Sequence, residues 1–185
     1  LSPYQGALAA EMTGLAAGAF DMTVGYIKER KQFGVYISSF QALQHRCADA
    51  LLQTESTRSA VFRAAWAADE SPETAPLLAA VAKGWAGPAA RYVCGQAIQL
   101  HGGVGFTWEA DPHVFYRKAK QSDLLLGYHG THRSRVADLF LELQQGVVVL
   151  QRADRSGLLL YPRQAAAQRR ELRDRRGTLL AQTLP

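Results

Sequence analysis

Apolar residues recur at helical spacing along most of the first 143 positions. In the segment that opens at Ser38, the residues Phe40, Leu43, Cys47 and Leu51 fall three, four and four positions apart, which places them on one face of a helix. Abundant alanine and few β-branched runs also favour helix. The pattern predicts an all-α, up-and-down helical bundle with helices over residues 4–30, 38–69, 77–100, 111–126 and 131–143.

Local signals set the expected helix ends. Gly34 suits a C-terminal cap for the first helix, and Ser38 with Gln41 has the spacing of a capping box at the start of the second. Pro88 is expected to kink or break the third helix. Asp111, which precedes a proline, is expected to begin the fourth.

The net positive charge comes from the end of the chain. The net charge is +5, and residues 144–185 carry all of it, with eight arginines against three acidic residues. This composition predicts a bundle over residues 1–143 followed by a poorly ordered basic tail over 144–185. A basic tail could indicate a binding module for RNA or a membrane surface. Because its one aromatic residue is Tyr161 and it has no nucleic-acid motif, we expect neither partner.

The cysteines and the apolar runs bear on location. Cys47 and Cys94 lie far apart and form no CxxC pair, so we expect a reducing, cytoplasmic setting. Every apolar run is shorter than the ~20 residues that a membrane-spanning helix needs.

Two segments carry residues that local folding does not require. Arg30 lies at a helix end, where a cation can complement the helix dipole or bind a phosphate through its fork of donors. Glycines at positions 102, 103 and 105 follow the third helix. They could form a simple cap, or they could let the backbone approach the phosphate or ribose of a ligand.

A third segment contains two histidines three positions apart. His129 and His132 could bind a metal, but no further ligand clusters with them in the sequence, so we expect exposed turn residues and no metal site. Asp123 and Glu11 are expected on solvated helix faces.

Taken in order, these segments resemble the C-terminal helical domain of acyl-CoA dehydrogenases. The motifs are Arg-x-x-Phe-Gly at 30–34, Phe-Gln-x-x-x-His-x-x-Ala-Asp at 40–49, Gln-x-His-Gly-Gly-x-Gly-Phe-Thr at 99–107, and Tyr-Arg-x-Ala-Lys at 116–120. The resemblance covers residues 9–143. The sequence Gly-Phe-Thr-Trp-Glu at 105–109 resembles actinobacterial members in particular.

The resemblance implies FAD as cofactor and acyl-CoA as substrate. Arg30 would bind the FAD pyrophosphate, and Phe33 and Gln41 would line the flavin nucleotide. The turn against the adenosine end would comprise Gln99, Leu100, His101, Gly102 and Gly103. Because family members share FAD across subunits, a homo- or hetero-oligomer is expected, with electron-transferring flavoprotein as the acceptor. By this resemblance, we expect the given residues to include neither the family's N-terminal helical domain nor its β domain.

The resemblance leaves the catalytic base unassigned. The family removes the α-proton with a glutamate, and the positions that match it hold Leu126, His129 or Tyr4, depending on the alignment and the subgroup. Leu126 is expected to be a core or pocket residue, whereas a histidine at 129 is of a type that accepts a proton near neutral pH. The chain therefore fits a subunit without a base that completes a partner's site. A flavin-dependent monooxygenase of the same fold and a non-catalytic binding module are the alternatives.

Overall fold

The structure, a computed structural model, describes the backbone of residues 2–155 and the side chains of residues 3–142. The described residues form the α-helices α1 (Ser2–Glu29), α2 (Gln41–Glu70), α3 (Ala75–His101), α4 (Pro112–Leu124) and α5 (His129–Arg155). Between α1 and α2 lie the antiparallel strands β1 (Lys31–Gln32) and β2 (Val35–Tyr36) and a 3-10 turn, Ile37–Ser39, and a second 3-10 turn, Gly102–Phe106, follows α3. The predicted all-α fold is confirmed, although the hairpin was not predicted.

Contacts at the two ends of the bundle establish the direction of the first three helices. A groove of about 520 Å³ is lined by Pro3 of α1, Asp69 of α2 and Pro76 of α3, so the start of α1, the end of α2 and the start of α3 lie together. At the other end, Tyr26 of α1 stacks on His101 of α3. Hence α2 runs antiparallel to both neighbours, as an up-and-down bundle requires.

The fourth helix returns along α3. Gly95 of α3 lies opposite Tyr116 near the start of α4, and Gly87 lies opposite Asp123 near its end. α4 is therefore antiparallel to α3, which contacts α1, α2 and α4 and is the central helix.

Small side chains let these helices approach closely. The buried core is mostly alanine, with Leu8, Met12 and Val93 as its larger members. Buried threonine hydroxyls bond within their own helix; that of Thr13, for example, donates to the Ala9 carbonyl at 2.8 Å. A core built this way depends on close backbone contact, so the buried alanine positions and Gly87 on α3 are sensitive to added volume.

Two of the expected helix ends are wrong. Gly34 does not cap α1, which ends at Glu29; instead Phe33 (φ 55°) and Gly34 (φ 80°) form the two-residue turn between β1 and β2. Positive φ at both central residues is the type I′ form that matches the twist of a hairpin. Ser38 lies inside a 3-10 turn and Phe40 is the N-cap of α2, so the expected capping box is not formed.

Two expectations about helix interiors also need correction. Pro88 does not break α3, which is continuous from Ala75 to His101. On α2, Leu51 is 44% exposed, and the buried face runs through Ala50, Thr54 and Thr57 instead. The small residues face inward because they allow α3 and α1 to pack closely against α2.

The chain divides into two units after Phe140. The second, Leu141–Pro185, is described only as far as Arg155, and the described part of α5 extends beyond its expected end at residue 143. The remainder of the predicted tail lies outside the described residues. Among the described residues, no helix has the length and apolarity to cross a membrane.

Candidate functional site

Arg30 lies at the base of the hairpin, directly after α1. Its backbone N–H donates to the Tyr26 carbonyl at 2.9 Å, and its carbonyl accepts from the Ile37 N–H at 2.9 Å. These two bonds fix its backbone, while its side chain is exposed. The guanidinium is thus presented to solvent from a fixed position, which suits the binding of an anionic ligand.

The hairpin tip carries an aromatic ring. Phe33 is 90% exposed, and its ring meets that of Phe40 edge-on with centroids 6.3 Å apart. Its positive φ is uncommon for a bulky residue, since the Cβ then crowds the backbone. Gln41, the first residue of α2, follows Phe40 in the chain and is exposed.

The glycine turn after α3 has one open side and one packed side. A Cβ added at Gly102 (φ 62°) or at Gly103 would meet no described atom within 4 Å. At Gly105 it would lie 2.5 Å from the Ile98 carbonyl oxygen and 3.1 Å from Cβ of His101. Gly105 is therefore required by packing, whereas the exposed backbone at residues 102 and 103 is free to approach a ligand.

The Tyr26–His101 contact brings the hairpin and the glycine turn to the same end of the bundle. The two rings are stacked with centroids 4.3 Å apart, and the Tyr26 hydroxyl donates to the His101 carbonyl at 3.4 Å. Tyr26 lies one helical turn before Arg30. This end therefore combines an exposed cation, an exposed ring and exposed glycine backbone, a set that fits the phosphates and rings of a nucleotide cofactor.

The predicted site residues at this end of the bundle differ in how far their side chains are exposed to a ligand. Gln99 is exposed, but Leu100 and His101 are buried, at 8% and 6% exposure. The Nδ1 atom of His101 bonds to the Ala97 carbonyl at 2.7 Å. The side chains of Leu100 and His101 thus hold the turn in place, and the chain can offer a ligand only their backbone.

A buried polar cluster at the end of α4 was missed by the sequence analysis. Asp123, expected on a solvated face, is only 1% exposed. Its carboxylate accepts from the guanidinium of Arg91 at 3.1 Å and lies 3.0 and 3.2 Å from Nδ1 of His129. Lys83 is fully buried beside it. Asp123 is buried because a glycine at position 87 of α3 leaves room for it.

The expectation that the two histidines of the α4–α5 segment are exposed turn residues is wrong. His132 is 2% exposed and its Nε2 bonds to the Gly127 carbonyl at 3.0 Å, while the His129 side chain is 13% exposed. Burial lowers the pKa of His132 below its ordinary value, because the charged ring would lose its hydration. Both histidines lie in the first turn of α5.

The remaining candidate positions for a base contain no carboxylate. Leu126, expected in the core or a pocket, is 44% exposed with φ of 57°, and Tyr4 is 70% exposed. Glu11 lies on the surface as expected and forms an ion pair with Lys118 at 2.9 Å. Among the side chains that the structure describes, no group of three or more His, Cys, Asp or Glu is placed to hold a metal ion.

Comparison with known proteins identifies the family. Residues 4–141 match the model of the acyl-CoA dehydrogenase C-terminal domain. The chain belongs to the acyl-CoA dehydrogenase family. Acyl-CoA dehydrogenase IpdE2 of Mycolicibacterium smegmatis is 40% identical over 120 residues, which are 65% of this chain and 37% of that protein. Members of this family are FAD-dependent.

Solved structures of acyl-CoA dehydrogenases share the fold. A variant of the Tcur3481-Tcur3483 steroid ACAD is 35% identical with a TM-score of 0.74, covering 78% of this chain and 40% of that one. The ChsE4-ChsE5 complex from Mycobacterium tuberculosis is 30% identical with a TM-score of 0.72, covering 76% and 38%. The chain thus spans well under half the length of the acyl-CoA dehydrogenases that it matches.

Proposed function

We propose that this chain is the C-terminal, FAD-contacting portion of a flavin-dependent acyl-CoA dehydrogenase, which removes hydrogen from the α and β carbons of an acyl-CoA thioester. The observation that carries this function is the Tyr26–His101 stack, which places Arg30 and the glycine turn at one end of the bundle. Arg30 would bind the pyrophosphate, Phe33 and Gln41 would line the nucleotide, and the backbone of residues 99–103 would contact the adenosine end.

FAD, when bound, supplies the acceptor for the β-hydride. The α-proton needs a base, and the candidate positions in this chain hold Leu126, Tyr4 and His129. We infer that a carboxylate base lies outside this chain and that the chain supplies cofactor contacts. His129 is the alternative: with its Nδ1–H donating to Asp123, its Nε2 would be the atom that accepts the proton.

An oligomer that shares FAD across subunits is part of this function. Large rings are exposed at the cofactor end: Phe33 at 90%, Phe106 at 74% and Trp108 at 84%. Apolar rings of this size, exposed together, are typical of surfaces that another chain or a ligand covers. The ChsE4-ChsE5 structure is a complex of two named proteins, which supports a hetero-oligomer as one form. Electron-transferring flavoprotein is the proposed acceptor.

Co-expression tests this function. The complete gene product would be purified alone and together with the product of the neighbouring gene, and FAD content and acyl-CoA-dependent bleaching of the flavin would be measured. We expect the mixed complex to bind FAD and to be bleached by acyl-CoA. A complex with neither property would contradict the function and would favour the non-catalytic binding module.

A second measurement separates dehydrogenation from the monooxygenase alternative. A dehydrogenase passes electrons from acyl-CoA to electron-transferring flavoprotein, whereas a flavin monooxygenase needs reduced flavin and oxygen. Reduction of electron-transferring flavoprotein in the absence of oxygen supports the dehydrogenase. Oxygen consumption that requires added reduced flavin, without reduction of electron-transferring flavoprotein by acyl-CoA, would support the monooxygenase.

A further inference from the structure

A buried histidine joins the first turn of α5 to α3. His132 is 2% exposed, and a Cβ added at Gly84 of α3 would lie 3.4 Å from its Cβ. On the other side of the ring, a Cβ added at Gly127 would lie 3.2 Å from Nε2. The ring is therefore packed between α3 and the turn that precedes α5, in the space that two glycines leave.

The hydrogen bonds of this ring identify its tautomer. Nε2 of His132 lies 3.0 Å from the Gly127 carbonyl oxygen, which can only accept, so Nε2 carries the proton of the neutral ring. Nδ1 is buried and has no hydrogen-bond partner among the described residues. A second proton would go to Nδ1, where it would form a buried donor without a described acceptor. This position therefore accommodates the neutral ring and not the charged one.

The charges near the ring also disfavour a proton on it. The charged and titratable groups on the elements around it are Lys83 and Arg91 on α3, Asp123 on α4, Tyr128 in the turn, and His129, Arg133 and Arg135 on α5. The one carboxylate of this set, Asp123, is bonded to Arg91 and His129. The Lys83 ammonium donates to the same Gly127 carbonyl as the ring of His132, at 3.4 Å. A proton on His132 would thus add to an excess of cations.

The pKa of His132 follows this arrangement. Burial lowers it, and the positive charges of Lys83 and Arg135 lower it further. The carbonyls of Gly127 and Leu126 offset part of the effect. If the first turn of α5 moved away from α3, Nδ1 would reach water and the ring would regain its ordinary pKa of 6.5. Because the open form then binds the proton more tightly than the closed form, each step below pH 6.5 favours opening.

We propose that His132 is a proton-sensitive clasp: uncharged, it joins the α4–α5 junction, residues 124–136, to α3, and protonated, it releases the junction while the rest of the bundle stays folded. The contacts of α3 with α1 and α2 do not depend on the junction. The clasp requires neither the cofactor nor acyl-CoA, so it goes beyond the proposed function and is tested separately from it.

Amide hydrogen exchange of the complete gene product tests the release. Protection factors, which are corrected for the intrinsic pH dependence of exchange, are measured at pH 7.5 and 5.0. We expect protection of the junction to fall by about three- to thirtyfold, the upper limit being set by the ordinary histidine pKa of 6.5. At pH 5.0 it should also be at least about tenfold lower than that of α1. Equal protection of the two segments at pH 5.0 would overturn local release.

Histidine variants assign the proton. His132→Gln keeps a donor for the Gly127 carbonyl but does not titrate, so protection of its junction should change by less than about twofold between the two pH values. His129→Gln, whose position faces Asp123, and the exposed control His45→Gln should still show the fall. Loss of the fall in His129→Gln and not in His132→Gln would overturn the proposal.

A measurement on the wild-type chain keeps the test decisive if His132→Gln opens the junction at both pH values. Slow exchange of the imidazole C2–H, read by mass spectrometry, follows the protonation of individual histidines. We expect a pKa of His132 below 6.5 in the native protein, and protection of the junction should stop falling at the pH where this ring is protonated. A native pKa of His132 at or above 6.5 would overturn the proposal.

Discussion

The ring of Tyr26 on α1 stacks on the ring of His101 on α3, with planes 21° from parallel, and this contact connects the two halves of the candidate cofactor surface. Arg30 follows Tyr26 by one helical turn, and Gly102 follows His101 directly. A surface assembled from two separate helices depends on such a contact for its geometry.

Loss of the Tyr26 ring should therefore weaken the bundle at this end. Tyr26→Ala removes the stacked ring and is expected to lower the free energy of unfolding by about 2 kcal/mol. Tyr26→Phe keeps the stack and loses only a long hydroxyl bond, so it should cost less than about 1 kcal/mol. Urea unfolding measures both variants. Equal losses in the two would show that the hydroxyl, and not the stack, holds the contact.

Gly87 and Gly84 form a matched pair on α3. In Gly87→Ala the new Cβ would overlap with the Asp123 carboxylate, which is buried and bonded, so we expect a loss of about 1–3 kcal/mol. In Gly84→Ala the nearest atom lies 3.4 Å away, and the better helix propensity of alanine should leave stability unchanged or raise it by up to about 1 kcal/mol. Thermal and urea unfolding distinguish them. A harmless Gly87→Ala would mean that the carboxylate can move.

Acid should destabilise the fold through His132. Its pKa is lowered mainly by burial, and the Gly127 carbonyl offsets part of the effect. As the pH falls through 6.5, the ordinary value, the unfolded chain takes up a proton that the folded chain does not. The free energy of unfolding should thus decrease with falling pH until the lower folded pKa is reached.

Variants at two histidines isolate this contribution. His132→Gln should show a smaller decrease in urea midpoint between pH 7.5 and 5, whereas His45→Gln, at an exposed position of α2, should follow wild type. The assignment to His132 would be wrong if both variants gave the wild-type pH dependence.

The two cysteines should differ in reactivity. Burial raises the pKa of Cys94 to about 12, so almost none of it is thiolate at pH 8, and its side chain is fully buried. Cys47 is half-buried, and burial raises its pKa too. Pulse labelling read by peptide mass spectrometry should find Cys47 modified first and Cys94 only as the chain unfolds. Rapid labelling of Cys94 in the native protein would contradict its place in the core.

The sequence predicted the helices well because apolar periodicity and alanine content are local properties. It missed the hairpin, since Phe33 before Gly34 is not one of the usual type I′ pairs. The motifs at residues 30–34 and 99–107 also indicated the candidate cofactor surface, whose role stays a prediction. That Leu100 and His101 are buried could not be seen from the motif, because the side that faces the ligand depends on how α3 ends.

The contact between Lys83 and Asp123 could not be predicted from the sequence for a different reason. Lys83 and Arg91 are the two Lys or Arg residues of α3, and they lie eight positions apart on one helix face, so a signal was present in the sequence. Their partner, Asp123 on α4, lies 40 residues from Lys83 and 32 from Arg91. Only the packing of α4 against α3 shows that Asp123 is buried and not on a solvated face.

The affinity of the complete protein for FAD, with and without the Arg30 guanidinium, tests the central claim most directly. Charge-assisted hydrogen bonds to a phosphate contribute about 1.5–3 kcal/mol, so Arg30→Ala should weaken FAD binding about ten- to hundredfold. The control Arg58→Ala removes another exposed arginine, whose ion pair with Glu55 is local to α2, and should bind FAD within about twofold of wild type. If Arg30→Ala binds FAD as tightly as the control, Arg30 does not contact the cofactor and this end of the bundle is not the flavin-facing surface.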